Sequence, residues 1–108
     1  MVVTHEMTHV DLTDEPGQRL AMLSGTLDVF SSSVLAGRIL AGLPDDAHDL
    51  VIDLHALEFM DSAGVSALAK LRLAGRARSL DVRGHLGDDC LLHATMQSVV
   101  RRVLPCDE

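Results

Sequence analysis

An aspartate and a serine stand where a run of apolar residues gives way to a helical pattern. Asp61 and Ser62 are followed by Gly64, and either polar side chain can cap a helix by accepting a hydrogen bond from a backbone N–H two or three residues on. Capping alone explains both residues, and Gly64 lets another group approach the first turn. A hydroxyl at a helix N-terminus is also a good phosphorylation site, because the helix dipole and the free N–H groups tolerate an added dianion. The sequence therefore leaves two interpretations of Ser62, a cap and a phosphorylation switch.

These residues lie between a buried strand and a long helix. Apolar side chains occupy both odd and even positions of the segment Leu50–Leu54, which predicts a central strand covered on both faces. We expect a loop from His55 to Met60. Small and apolar residues then recur at intervals of three and four, which predicts an amphipathic helix from about Ser62 to Arg78 that lies close to the sheet.

The first part of the chain predicts a hairpin and a helix. Val10 and Leu12 alternate with polar neighbours, turn-forming residues occupy 14–17, and a short apolar run covers 20–23. This order is typical of two antiparallel strands. A broad apolar face then predicts a first helix from about Ser31 to Leu43.

The two ends of the chain give weaker patterns. Residues 1–7 lack periodicity and are expected to be flexible. His5 and His9 are four residues apart, a spacing that could hold a metal, but a frayed terminus explains them more simply. Near the other end we expect a strand at Leu80–Val82, a turn at Gly84–Gly87, then a short helix and a final apolar piece.

The order of these elements defines the expected fold. Strand, strand, helix, strand, helix, strand and helix in one short chain imply an α/β fold, with a mixed sheet of about four to five strands packed against helices. No repeat or linker interrupts the sequence. We therefore expect one domain over residues 1–108, with its core at about 8–105.

Composition narrows the classes of function. The chain has 108 residues and a formal net charge of −7, which repels nucleic acid and anionic lipid. No segment resembles a signal peptide or a membrane span. Cys90 and Cys106 form no CxxC motif, so we expect free thiols and no metal site. The sequence thus predicts a soluble cytoplasmic protein that binds neither nucleic acid nor membrane.

Two segments resemble the STAS family, whose best-known members are the anti-sigma factor antagonists of bacteria. Residues 25–28, Gly-Thr-Leu-Asp, are similar to the Gly-x-Leu-Asp that follows the family's second strand. Residues 51–65 are similar to its strand, loop and Asp-Ser-x-Gly-(Leu/Val) phosphosite. The second match is fairly specific, and the first is weak alone. The resemblance covers residues 8 to 105.

The resemblance implies a STAS-type fold and a phosphorylation-switched binding module, not an enzyme. In the family, a partner that is both anti-sigma factor and serine kinase phosphorylates the serine corresponding to Ser62, and a serine phosphatase reverses the mark. The unphosphorylated protein binds the kinase and frees a sigma factor. No metal or cofactor of its own is implied, and the free protein is expected to be a monomer or a weak homodimer. The implied partner-binding residues are Asp28, Asp61, Ser62, Ala63, Gly64 and Val65, of which Asp28 and Asp61 are equally explained as helix caps.

The chain departs from the family pattern at three points. Ala63 replaces a second Ser or Thr that many members carry, which leaves one hydroxyl to accept phosphate. Ser66 stands where many have Gly or Ala, but lies too deep in the helix to be a site. After Val82 the family often has a longer helix rich in branched apolar residues, whereas Gly87–Cys90 begins a short, acidic version here.

Three other interpretations stay open. A response-regulator receiver would use Asp53 as the phosphate acceptor, but the only lysine, Lys70, falls in the second predicted helix and not after a late strand. A serine hydrolase would need His85 or His93 beside Ser62, and the chain lacks the first glycine of a G-x-S-x-G elbow. Within the STAS family, a scaffold or transporter-associated domain binds its partner without being phosphorylated.

Overall fold

The structure, a computed structural model, describes residues 2–5 and 7–106, apart from the side chains of residues 3–5 and 33. The described residues form five strands and three helices. The strands are β1 (Val2–His5), β2 (Thr8–Glu15), β3 (Gln18–Leu27), β4 (Asp49–Met60) and β5 (Asp81–His85), and the helices are α1 (Ser32–Leu40), α2 (Ser62–Ala77) and α3 (Ala94–Val103).

All five strands belong to one mixed sheet in the order β1-β2-β3-β4-β5. The pairs β1–β2 and β2–β3 are antiparallel, whereas β3–β4 and β4–β5 are parallel. Parallel neighbours need crossover connections, and α1 and α2 provide them. The predicted α/β fold, with a mixed sheet packed against helices, is confirmed.

The predicted hairpin of β2 and β3 is confirmed as well. Glu15 pairs with Gln18, so Pro16 and Gly17 form the turn. Gly17 has a φ of 76°, which glycine adopts without steric cost. A Cβ atom at this position would lie only 2.6 Å from His48 Nε2, so the turn also depends on close packing.

The core lies on one face of the sheet. Leu50, Ile52 and Leu54 of β4 are buried in a cluster with residues of all three helices. The alternate residues Val51 and Asp53 are only half-buried, because successive side chains of a strand point to opposite faces. The expectation that this strand is covered on both faces is therefore wrong. Its central position is confirmed, since β3 and β5 flank it.

The loop predicted from His55 to Met60 is also wrong, because β4 continues to Met60. The register between β3 and β4 shifts twice, near Met22 and near Gly25. At each shift β4 contains one residue more than β3, as in a β-bulge. The bulges interrupt the alternation by which a strand is recognised in sequence. The buried side chains of this stretch consequently recur every third residue, at Leu54, Leu57 and Met60.

Both long predicted helices exist with adjusted ends. α2 ends at Ala77, next to the predicted end at Arg78. α1 stops at Leu40 and does not reach Leu43. Ala41 already has an extended backbone, and Gly42 has a φ of 64°, so the apolar pattern continues past the point where the backbone leaves the helix.

A buried arginine holds the C-terminal end of α1. Arg19 Nη1 donates to the carbonyl oxygens of Ile39 and Ala41 at 3.0 and 2.7 Å, and Nη2 donates to that of Gly42 at 3.1 Å. The guanidinium also forms two hydrogen bonds with Asp14, at 2.6 and 3.0 Å. These bonds hold the pKa of the Asp14 carboxyl below its ordinary value and raise the pKa of Arg19.

The C-terminal part differs from its prediction. β5 includes Gly84 and His85, where a turn was expected. A short helix, α3, is confirmed, but it contains no acidic residue, so its expected acidic character is wrong. Beyond α3, the Gly84 N–H donates to the Pro105 carbonyl oxygen at 2.8 Å. The chain end thereby covers part of the outer edge of β5.

The sequence did not predict β1. Val2 pairs with Asp11 and His5 with Thr8, so a segment in which no element was expected adds an edge strand. The side chain of His5 lies outside the described residues, and with it the considered metal pair of His5 and His9.

Candidate functional site

The predicted site lies at the edge of the sheet where β3 and β4 end. These strands are parallel neighbours, and Leu27 pairs with Met60 at their last position. Asp28 directly follows Leu27 at the end of β3, and Asp61 directly follows Met60 at the end of β4. The parallel pairing therefore brings the two aspartates, which are far apart in sequence, to the same edge.

Asp61 connects the start of α2 to the loop between β3 and α1. It is the N-cap of α2, and its Oδ1 accepts from the Gly64 N–H at 3.0 Å. Its Oδ2 accepts from the Val29 N–H at 3.1 Å, in the loop between β3 and α1. Of the two residues that the sequence offered as the cap, Asp61 is the one that caps.

Ser62 is the first residue of α2, and it is exposed. Because Asp61 provides the cap, the Ser62 hydroxyl is not used for it. The positive end of the helix dipole lies at this point, and it favours an added negative charge. The position thus combines solvent access with an electrostatic environment suited to a phosphate.

Gly64 lies in the first turn of α2 and is buried. A Cβ atom there would be 2.5 Å from Met60 Cγ and 2.6 Å from the Leu27 carbonyl oxygen. The close approach expected at this glycine is confirmed, and the approaching groups are the ends of β3 and β4. The resemblance groups Gly64 with residues that contact a partner, but its burial gives it a packing role beneath the site.

Asp28 shapes the loop between β3 and α1. Its Oδ1 accepts from the backbone N–H groups of Phe30 at 3.0 Å and Ser31 at 3.3 Å, as in an Asx turn. The Asp28 carbonyl oxygen also accepts from the Ser32 N–H at 2.9 Å. Ser31, which directly precedes α1, makes no side-chain cap hydrogen bond, so the interpretation of Asp28 as a cap at the start of this helix is confirmed. Ser31 Oγ accepts from Thr8 Oγ1 at 2.9 Å, which ties the loop to β2.

Exposed apolar side chains flank Ser62, and the sequence analysis did not identify them. Val29 and Phe30 are 61% and 73% exposed, and Phe59 is 55% exposed. The two phenylalanines are the only aromatic residues of the chain. Exposed aromatic side chains are enriched where proteins bind one another. The available signal was their position, since each stands within two residues of one of the two aspartates.

The first turns of α2 separate two grooves. Ala63 and Val29 help to line a groove of about 470 Å³ between α1 and α2. Ser62 and Val65 help to line another, of about 410 Å³, between α2 and α3. Ser66 is exposed, like Ser62. The two serines therefore do not differ in burial; they differ in position, since Ser66 lies one turn further along α2.

Comparison with known families identifies the fold. The family described as STAS domain matches residues 7–83, which include β2 to β4, most of β5, α1, α2 and the edge that carries Ser62. The chain belongs to the STAS domain family. A search of curated proteins finds no match.

Solved structures similar to this chain include two anti-sigma factor antagonists and an anion transporter. An anti-sigma factor antagonist from Mycobacterium paratuberculosis is 22% identical, with a TM-score of 0.71 over 92% of this chain and 84% of that one. The anti-sigma factor antagonist SpoIIAA, in its unphosphorylated form, is 22% identical, with a TM-score of 0.59 over 92% and 87%. The murine anion transporter Slc26a9 is 18% identical, with a TM-score of 0.65 over 83% of this chain and 14% of that one. At these identities the likeness shows the fold alone.

The geometry of this STAS domain does not support a receiver-type acceptor at Asp53. Asp53 lies between the buried residues Ile52 and Leu54, so its side chain points to the sheet face without helices. Its Oδ1 lies 2.8 Å from His55 Nδ1. This hydrogen bond, together with the negative charge of Asp53, raises the pKa of His55. Lys70 is on α2, on the other side of the sheet.

Each of the two histidines considered as catalytic bases lies at the end of an element of the STAS domain. His93 caps α3, where its Nδ1 accepts from the Thr95 N–H at 3.2 Å, and His85 ends β5. Over residues 2–5 and 7–106 no group of three or more His, Cys, Asp or Glu side chains could hold a metal ion. No described helix has the length and apolar character to cross a membrane.

Proposed function

We propose that this STAS domain is an anti-sigma factor antagonist whose binding is switched off by phosphorylation of Ser62. In the proposed cycle, the unphosphorylated protein binds a partner that is both anti-sigma factor and serine kinase, and so releases a sigma factor. The kinase phosphorylates Ser62, and a serine phosphatase restores the binding form. The chain acts as a binding module in the cytoplasm, not as an enzyme, and needs no cofactor of its own.

The observation that carries this proposal is that Asp61 caps α2, whereas the neighbouring Ser62 hydroxyl does not. Asp61 satisfies a backbone donor of α2 and one of the β3–α1 loop. The neighbouring hydroxyl is left exposed at the start of the helix. A phosphate added there changes the surface without removing a hydrogen bond on which the fold depends.

The surroundings of Ser62 support a protein partner. Val29, Phe30 and Phe59 present exposed apolar area, and such residues contribute much of the binding energy when a partner buries them. Asp28 and Asp61 hold the loop that carries Val29 and Phe30, and Phe59 lies near the end of β4. Ala63 and Val65 extend the surface into the grooves on either side of α2.

The energy that the switch requires is modest. A phosphoserine carries a charge of about −1.5 to −2 at neutral pH, and here it would stand beside the carboxylate of Asp61. A hundredfold loss of affinity corresponds to about 2.7 kcal/mol. Repulsion and desolvation of one misplaced charge in an interface reach this size.

The test is a binding series with a matched control. Wild type is used to recover the serine kinase from a lysate of its native cells, and the purified kinase is then titrated against Ser62→Ala, Ser62→Glu and Ser98→Glu. Ser98 is exposed on α3, so its variant adds the same charge elsewhere. We expect Ser62→Glu to bind about a hundredfold more weakly, while Ser62→Ala and Ser98→Glu bind like wild type.

Equal binding of Ser62→Glu and wild type would remove the phosphorylation switch. A second function is then favoured, a STAS module that binds its partner without phosphorylation. The likeness to part of the murine transporter Slc26a9 supports this alternative. A recovered partner that is a membrane transporter, and that does not phosphorylate the chain, would identify it.

A further inference from the structure

The charges of this acidic chain are unevenly distributed. The sequence has 16 acidic and 9 basic residues, yet α2, α3 and even α1 contain no Asp or Glu. Two-thirds of the basic residues lie on α2, in the turn that follows it, or on α3. These are Lys70, Arg72, Arg76, Arg78, Arg101 and Arg102.

An apolar groove runs between α2 and α3. Its volume is about 410 Å³, and Val65, Ala69, Met96, Val99 and Val103 form most of its lining. All five are half-buried, so the groove has an apolar floor that remains accessible.

The two helices run in the same direction along the groove. Met96, near the start of α3, also lines a small cavity with Met60, directly before the start of α2. Near the other end, Arg72 Nη1 donates to the Val103 carbonyl oxygen at 3.4 Å. The C-terminal ends of both helices therefore meet at one end of the groove, which we call the basic end.

Arginine side chains border the basic end. Arg72 follows Ala69 by three residues and Val65 by seven, and Arg76 follows Ala69 by seven, which places both arginines on the same side of α2 as the groove lining. Arg102 follows Val99 by three residues on α3, which places it beside the groove lining of that helix. Arg76 and Arg102 are exposed.

We propose that this groove docks an α-helix of a partner protein, with acidic residues in the first turns of that helix. The incoming helix lies antiparallel to α2, so that its acidic N-terminal turns meet Arg76 and Arg102. Carboxylates there also favour the dipole of the docked helix itself. The groove lining on α2 runs from Ser62 to Ala69, about 11 Å at about 1.5 Å per residue. Arg76 lies about 11 Å further along α2, so a docked helix of about four turns would reach from the groove to the basic end.

The charge pattern argues against two other occupants. Among the described residues a second copy of this chain offers no such helix, because α1, α2 and α3 contain no Asp or Glu. The Asp61 carboxylate that precedes α2 is already bound to the Val29 and Gly64 N–H groups. A membrane surface is broad and flat, whereas this site is a concave strip between two helices. The net charge of −7 also opposes approach to anionic lipid.

The inference does not depend on phosphorylation of Ser62. Ser62 lies at the far end of the groove from the basic end, and the proposed charge contacts do not include it. Loss of the proposed phosphorylation switch would therefore leave this docking surface intact.

The test uses a designed peptide as the probe. A fluorescein-labelled peptide of about 16 residues, enough for about four helical turns, carries a Leu/Ala face and glutamates only in its first two turns. Fluorescence anisotropy at low and at higher salt reports its binding to the full chain. We expect saturable binding that weakens as salt rises, because the charge contacts are solvent-accessible.

Matched variants locate the binding. Arg76→Glu/Arg102→Glu is expected to weaken binding by about tenfold or more, whereas Arg38→Glu, an exposed site on α1, changes it less than about twofold. A peptide with lysines in place of the glutamates should bind wild type at least about tenfold more weakly. Ala69→Glu, which adds a charge to the groove floor, gives a second disruption, and thermal melts verify that each variant is folded.

Several results would overturn the proposal. They are the absence of saturable binding up to about 1 mM peptide, equal binding of the lysine peptide, or equal losses in Arg38→Glu and the double variant. If the double variant instead abolishes dimers seen by sedimentation, the groove serves self-association. If it abolishes binding to phosphatidylglycerol vesicles, the groove serves a membrane.

Discussion

Two helix ends at opposite edges of the sheet are both held by a charged side chain, but in different ways. At the C-terminal end of α1, Arg19 is 4% exposed and donates to three carbonyl oxygens and to both oxygens of Asp14. At the N-terminal end of α2, Asp61 accepts two backbone hydrogen bonds, and the adjacent Ser62 is exposed. The first end is closed, whereas the second presents a hydroxyl to solvent.

This contrast shows how one fold can hold a helix end firmly and still leave the next side chain exposed. A side chain that satisfies buried backbone groups cannot change its charge without a large loss of stability. At the N-terminal end of α2, Asp61 accepts the backbone hydrogen bonds, and the adjacent Ser62 accepts neither of them. Variants at the two ends therefore separate effects on stability from effects on binding.

The largest expected effect is at the closed end. Arg19→Ala leaves three carbonyl oxygens and the partly exposed Asp14 carboxylate without their donor, and we expect a loss of about 3 kcal/mol in the free energy of unfolding, mainly from the carbonyl oxygens. Arg38→Ala removes an exposed arginine from the same helix and serves as the control, with a change below about 0.5 kcal/mol. Chemical denaturation measures both. Similar small losses of stability in the two variants would contradict the claim that Arg19 holds the C-terminal end of α1.

The next effect concerns the packing beneath the open end. Gly64→Ala pushes a Cβ atom into the Leu27 carbonyl oxygen and Met60, and we expect a loss of about 2 kcal/mol. Gly37→Ala is the matched control, because an added Cβ in α1 meets nothing within 4 Å. That variant should gain about 0.5–1 kcal/mol from helix propensity. A neutral Gly64→Ala would mean that the start of α2 can move away from the sheet.

A smaller effect separates the two neighbours at the open end. Asp61→Ala removes the cap of α2 and should cost about 1 kcal/mol, while Ser62→Ala should cost less than about 0.5 kcal/mol. Urea titrations of the two variants in parallel give the comparison. A reversed order would assign the capping role to Ser62 and leave its hydroxyl unavailable.

The smallest effect is the pH dependence of the closed end. The hydrogen bond from Arg19, followed by the attraction of its charge, lowers the pKa of Asp14 despite some desolvation. The pair therefore stabilises the fold above the ordinary pKa of 3.8 and loses this contribution as pH falls through the lowered value. We expect the unfolding free energies of wild type and Asp14→Asn to converge as pH falls from about 5 to below the lowered pKa of Asp14. Asp45→Asn, which removes an exposed carboxylate from a turn, should not show this convergence.

Much of the architecture could be predicted from local pattern. The β2–β3 hairpin has alternating residues and a Pro-Gly turn, and α2 has small and apolar residues at helical spacing, so each carries its own signal. The end of β4 does not, because its two bulges place Leu54, Leu57 and Met60 in the core at a spacing that no regular strand has. β1 depends on pairing with β2, a long-range contact that short windows of sequence do not contain.

The site could be predicted only in part. The motif located Asp61, Ser62 and Gly64, but not which of the two polar side chains is the cap, since either can fill that role. Exposure of Phe30 and Phe59 was missed, because aromatic residues are more often buried than exposed. The groove between α2 and α3 depends on the position of α3, whose start at Ala94 no strong sequence signal marked.

The most direct test of the account is to find where phosphate is attached in the native protein. The chain is purified from its own cells in growth and under stress, its intact mass is measured, and its phosphopeptides are mapped by tandem mass spectrometry. We expect a single added phosphate on the peptide that contains Ser62, and its loss in Ser62→Ala. Phosphate on another residue, such as Ser66, or an unmodified mass under every condition, would contradict the account.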